Sequence, residues 1–206
     1  MSWPTIGGMI SREPIDAGGF LPRYLQMNRD ALLWKLEGLS EYDARRPLTP
    51  TGTNLAGLVK HVAYLEISYF GETFGRPWPV DRENISDEDA AVDPNIDFYL
   101  TADETVEQIV DFYRRVWEFS AETFARHSVT DLGRVPHWPA ASARRSLGEI
   151  ATHVISDLAR HVGHADILRE QLDGGTGMQE GNSNIPDGVD WPAHVRKLEG
   201  IAGRFR

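Results

Sequence analysis

Four side chains with metal-ligand chemistry fall inside one helical pattern, SLGEIATHVISDLARHVGHADILREQL, from Ser146 to Leu172: His153, Asp157, His161 and His164. At ~100° per residue, Leu147, Ile150, Val154, Leu158, Val162, Ala165 and Leu168 form one apolar stripe, so the segment reads as an amphipathic helix with a buried face. With His153 at zero, Asp157 falls near ~40°, His161 near ~80° and His164 near ~20°, while the stripe centres near ~120°. Asp157 and His161 therefore lie nearest the core, one turn apart on one face. A carboxylate and an imidazole so placed can hold a divalent metal once another element adds a third ligand. The competing reading of the same residues is a cluster of surface histidines.

The elements that must position these groups are helices. Phe20, Leu21, Tyr24, Leu25, Leu32, Leu33 and Leu36 repeat with helical spacing over Phe20 to Leu39, with Gly38 and Ser40 suiting the end. A capping segment at Thr51 to Asn54 opens a second helix over 53–74, with the stripe Leu55, Leu58, Val59, Val62, Leu65, Tyr69 and Phe70. His61 sits on its flank, and Glu66 falls inside its stripe, where a carboxylate needs a partner such as an imidazole ring. A third helix over 104–127 carries Val106, Ile109, Val110, Tyr113, Val116, Trp117, Ser120 and Phe124, and His127 suits its C-terminal dipole. Residues 75–103 read as loop with a solvated acidic run, and 128–145 as a connection that could bring Trp138 or Arg144 to a substrate.

These elements make an all-α protein: a four-helix bundle with long loops and a short extra helix near the C-terminus. The division expected is an N-terminal arm at 1–15, the bundle at 16–173, and a flexible segment with a short helix from Trp191 to Leu198 at 174–206.

Composition narrows the function classes. The chain has 206 residues, a net charge of -10 and no cysteine. The acidic balance argues against nucleic-acid or anionic-membrane partners. Without cysteine, thiolate metal sites, disulfides and cysteine nucleophiles are excluded, so any metal is held by nitrogen and oxygen. Neither a signal peptide nor a membrane span is read, and a cytoplasmic location is expected by default. Eighteen arginines against three lysines resemble the usage of high-GC bacteria. No phosphate-binding glycine loop, GxSxG elbow or HExxH motif is present.

The phrases LLWKLEGLSEYDARRPLTPTGTNLAGLVKHVAYLE and ATHVISDLARHVGHADILREQLDG resemble the DinB/YfiT-like metal-binding four-helix bundles. The resemblance is to the branch of mini-circle-type proteins, relatives of the mycothiol-dependent maleylpyruvate isomerases. It implies that a histidine of the second helix and an i, i+4 pair on the last bundle helix hold one divalent metal, commonly zinc or nickel. Motif to motif, these are His61 in LVKHVA, His161 in ARHVGH and Asp157, where relatives carry histidine or glutamate. Aspartate is shorter than glutamate, and His153 or His164 stands by as a substitute ligand.

Two histidines and one carboxylate leave coordination positions open, which is the catalytic pattern. The resemblance implies an enzyme whose metal activates a low-molecular-weight thiol, mycothiol first among them, for S-transfer to a small electrophile or for isomerisation. The alternatives are a non-catalytic metal-binding or stress-associated bundle and a metal-dependent hydrolase. A homodimer, as relatives often form, is a further expectation.

Overall fold

The computed structural model describes residues 17–179, 181–183 and 185–206, so the expected N-terminal arm lies outside the described residues. Helix α1 is Ala17–Trp34, followed after the Ser40 cap by the short α2, Glu41–Arg45. Helix α3, Leu55–Glu66, is opened by Asn54, whose side chain accepts from Gly57 N–H at 2.8 Å. Within the segment expected as loop, Ser86 and Asp89 form a capping box that starts α4, Asp87–Val92. Helix α5 is Val106–Arg126, α6 is Leu147–Asp173 and α7 is Trp191–Ala202.

A small antiparallel hairpin, β1 (Leu132–Arg134) and β2 (Arg144–Ser146), leads directly into α6, pairing Leu132 with Ser146 and Gly133 with Arg145. The sequence carries no alternating apolar pattern here, and pairing of three residues a side needs none. Ser146 then closes a capping box with Glu149, and Gly174, at φ 79°, ends α6 in the left-handed conformation that glycine adopts without strain.

The bundle consists of α1, α3, α5 and α6, with α1 packed on α6 and α3 packed on both α5 and α6. Leu147, Ile150, Val154, Leu158 and Ala165 of α6 are fully buried, as the stripe requires. No helix among the described residues is long and apolar enough to cross a membrane.

The expected second helix is not one continuous α-helix. After Glu66 it widens into a π-helical turn, Ile67–Gly71, in which Glu72 N–H reaches the Ile67 carbonyl five residues back. A 3-10 turn over Glu72–Phe74 and Gly75 then end it. Gly71 is required where it stands: a Cβ there would lie 2.5 Å from the Phe119 ring and 2.6 Å from the Arg76 carbonyl.

Glu66 is fully buried, and its partners are not imidazoles. Arg29 of α1 meets both of its oxygens, with Nε 3.0 Å from Oε1, while Tyr113 donates to Oε1 at 2.8 Å and Ser120 to Oε2 at 3.1 Å, both from α5. Arg29 lies on the α1 stripe between Leu25 and Leu32, and its guanidinium also faces the Trp117 ring at 5.6 Å. Removing one partner of such a pair leaves an unpaired buried charge, which costs far more than the intact pair contributes. Glu66→Ala is expected to lose about 3–5 kcal/mol in urea denaturation, and adding Arg29→Met to it to recover most of that loss.

Candidate metal centre

His61, Asp157 and His161 come together: each offers one ligand atom, and these atoms all lie within 4.8 Å of one another. His61 comes from the middle of α3, where neighbouring Val62 and Ala63 are fully buried and hold its flank against α6. Asp157 and His161 come from α6 on either side of the fully buried Leu158, so their shared face turns toward α3. The two imidazole rings meet edge to face with centroids 4.7 Å apart.

Each ring is prepared differently. His61 Nδ1 lies 2.7 Å from Asp97 Oδ2. A carboxylate there accepts a hydrogen bond from Nδ1–H, fixes the tautomer and leaves Nε2 as the nitrogen with a free lone pair. Phe98 stacks on the same ring at 3.9 Å and 17°, restricting its rotation and covering one face. His161 has no such partner: its Nδ1 is buried without a hydrogen bond, and its Nε2 is 3.8 Å from Asp157 Oδ2, too far for one. Burial first, and then the adjacent His61, push its pKa down to about 4. At neutral pH it is therefore an uncharged imidazole, the form that ligates metals.

Asp97 and Phe98 belong to the segment between α4 and α5, inside the 75–103 stretch that the sequence presents as loop. That segment is tightly anchored. Arg45 of α2 donates to the carbonyls of Leu100, Thr101 and Glu104 at 3.1, 2.6 and 2.9 Å, and Asn54 donates to the Phe98 carbonyl at 3.3 Å. Gly57 lets this backbone lie directly against α3, since a Cβ there would stand 1.8 Å from the Phe98 carbonyl oxygen. No short-range pattern links Asp97 to His61.

The two substitute ligands do other things. His164 stays edge-on to His161 at 5.7 Å and exposed. His153 turns to Tyr69, its Nε2 3.1 Å from the phenol oxygen. Of the loop residues, Trp138 is half-buried and donates from Nε1 to the same oxygen at 3.2 Å, whereas Arg144 is exposed in β2. His127 caps the end of α5 and stands 3.4 Å from Asp131.

Two imidazoles and a carboxylate make a set of nitrogen and oxygen donors that suits zinc or another borderline divalent cation, and three protein ligands would leave room for an exogenous one.

The mycothiol-S-transferase family model matches residues 20–174, from α1 to the end of α6. The chain belongs to the mycothiol-S-transferase family. The match spans all four bundle helices and all three clustered residues, and the helical architecture agrees with the DinB-like resemblance of the sequence. A search of curated proteins found no match.

Two outcomes follow from the geometry of this mycothiol-S-transferase family member. Because the folded His161 pKa lies below the unfolded value of about 6.5, the unfolded chain binds the extra proton between about pH 6.5 and 4. Metal-free protein should thus lose stability as pH falls through that window. Melting temperatures from pH 7 to 5 should fall more steeply for wild type than for His161→Gln. Gly57→Ala should displace the Phe98 backbone and release Asp97, weakening zinc affinity by about 10–100-fold in competition with a chromophoric chelator, as Asp97→Asn should.

Proposed function

We propose that the protein is a divalent-metal-dependent transferase that passes the sulfur of mycothiol to a small electrophile. The observation that carries this reading is the convergence of His61, Asp157 and His161 within 4.8 Å, inside the stretch that matches the family. When bound there, a zinc or nickel ion would act as a Lewis acid that lowers the pKa of a thiol brought to it.

The protein's own residues do the rest. His161 presents a neutral nitrogen, so no proton has to be expelled from it before a cation binds. Asp97 keeps His61 in the tautomer that exposes Nε2. Asp157, with its side chain 33% exposed, supplies negative charge from the more open side. Phe98 and the buried flank of α3 keep water from the far side of the His61 ring. With no cysteine in the chain, the sulfur must arrive with the substrate, which agrees with a family that uses a free thiol.

Elemental analysis of purified protein, beside mycothiol-dependent alkylation assays, tests the reading. Wild type is expected to carry about one equivalent of zinc or nickel, and His61→Ala and His161→Ala to lose both metal and transfer while keeping their helical circular dichroism. Retention of full transfer activity by either variant would remove the metal from the reaction. Asp157→Glu, which lengthens the carboxylate by one methylene, should keep metal, whereas Asp157→Ala should weaken it.

A further inference from the structure

Outside the candidate metal cluster, polar and aromatic side chains gather around Tyr69. Its phenol oxygen meets Trp138 Nε1 at 3.2 Å, His153 Nε2 at 3.1 Å and His137 Nε2 at 3.4 Å. The three rings surround it edge to face, with centroids at 6.0, 4.9 and 5.5 Å. Such a set goes beyond what packing requires, because Tyr69 is 8% exposed while His137 and His153 are open to solvent. A small molecule can reach the phenol by displacing an exposed imidazole.

The cluster lies on the same seam as the metal-binding residues. His61 of α3 meets His161 of α6, and eight residues further along the α3 segment Tyr69 meets His153, eight residues back along α6. The two segments thus run antiparallel, with Asp157 one turn from His153 and one turn from His161. Asp157 is close enough to Tyr69 for its charge, after burial, to help hold the phenol above its ordinary pKa. Tyr69 is turned to this seam by the π-helical turn Ile67–Gly71, a local widening that is frequent at functional sites.

Hydrogen-bond valence fixes the Trp138 contact, and the His153 tautomer decides the rest. Indole Nε1–H can only donate, so Tyr69 accepts from Trp138. If His153 carries its proton on Nε2, it fills the second lone pair, and the phenol proton is directed toward His137. That contact is long at 3.4 Å, and His137 sits on an exposed loop, so an acceptor atom of a substrate can take its place. Two N–H donors on one oxygen also stabilise the phenolate left after proton transfer.

We propose that Tyr69 is the proton donor to the electrophile, serving substrates whose bond to carbon breaks to leave an alkoxide or similar basic oxygen, with His153 and Trp138 as its positioning residues. This rests on the thiol-transfer reading above. In the step, the thiolate sulfur forms a bond to carbon and the C–O bond breaks with its electron pair moving to oxygen. That oxygen takes the Tyr69 proton, and water returns a proton to the phenolate, balancing the one released earlier when the thiol ionised. An epoxide is the simplest substrate of this class. A carbon–chloride bond needs no such help, since chloride leaves unprotonated.

The test compares full-length, zinc-loaded wild type with Tyr69→Phe, using mycothiol with styrene oxide and with 1-chloro-2,4-dinitrobenzene. Tyr69→Phe is expected to lose about 10²–10⁴-fold in kcat with the epoxide. With the chloride it should change less than about threefold, at unchanged zinc content. Equal losses with both electrophiles, or no loss with either, would overturn the proposal and leave the transferase reading standing. No turnover of either electrophile by zinc-loaded wild type would overturn the transferase reading and this proposal with it. A readout independent of turnover is the 15N tautomer signature of His153 in metal-free protein. It should be Nε2–H in wild type, and an Nδ1–H signature would overturn the proton assignment on which the proposal depends.

Discussion

A carboxylate with no exposed surface must be answered by the protein around it, and Glu66 of α3 is answered by two other helices at once. Arg29 reaches it from α1, and Tyr113 and Ser120 reach it from α5, so the rotation and depth of α3 are fixed by directional bonds as well as by apolar fit. Everything functional on α3 is referenced to that point. His61 lies one and a half turns before it, on the regular helix, and the π-helical turn begins on the next residue. A bundle held only by leucine and valine contacts could slide or rotate by a fraction of a turn. With Glu66 paired, such a shift would break hydrogen bonds that water does not replace.

The candidate metal cluster uses this fixed frame economically. One helix, α6, supplies an i, i+4 pair, and α3 supplies a single ring whose Nδ1 is occupied by Asp97. The loop carrying Asp97 is held by Arg45 and Asn54 from the α2–α3 region, so the ordering of His61 passes through backbone carbonyls rather than through a rigid helix. His161 is ordered in the opposite way, by burial without a hydrogen bond, which leaves its basicity low and its lone pair available.

How much of this was legible in the sequence depended on the range of each interaction. The four bundle helices and the inward turn of Asp157 and His161 followed from periodicity, because the buried stripe of α6 is long and clean. His61 as their companion came from the resemblance, since by periodicity alone it was a flank residue. Arg29 also sat on its stripe, four residues after Leu25 and three before Leu32, and would have answered Glu66 had an arginine been allowed into the core. Asp97 and Phe98 were beyond reach: they lie in an irregular segment thirty-six residues from His61, where composition reports only acidity. Tyr69 was read as a core residue, which its burial justifies, and the role of its hydroxyl appeared only once the hairpin and α6 were folded around it.

The π-helical turn has a consequence for how this helix can change in evolution. In an unbroken α-helix, eight residues carry a side chain about 80° past its starting direction, so Tyr69 would point well away from the line of His61. The wider turn rotates less per residue and brings it back toward that line. The two ends of the segment are thus out of phase by roughly one residue, as though one amino acid had been inserted between His61 and the tyrosine. A one-residue deletion between Ile67 and Gly71 would be absorbed by restoring the ordinary helix, with His61 and Glu66 undisturbed and a different side chain delivered to His153. Relatives that differ by a single-residue gap at this place would keep the same placement of His61 while presenting different chemistry beside it.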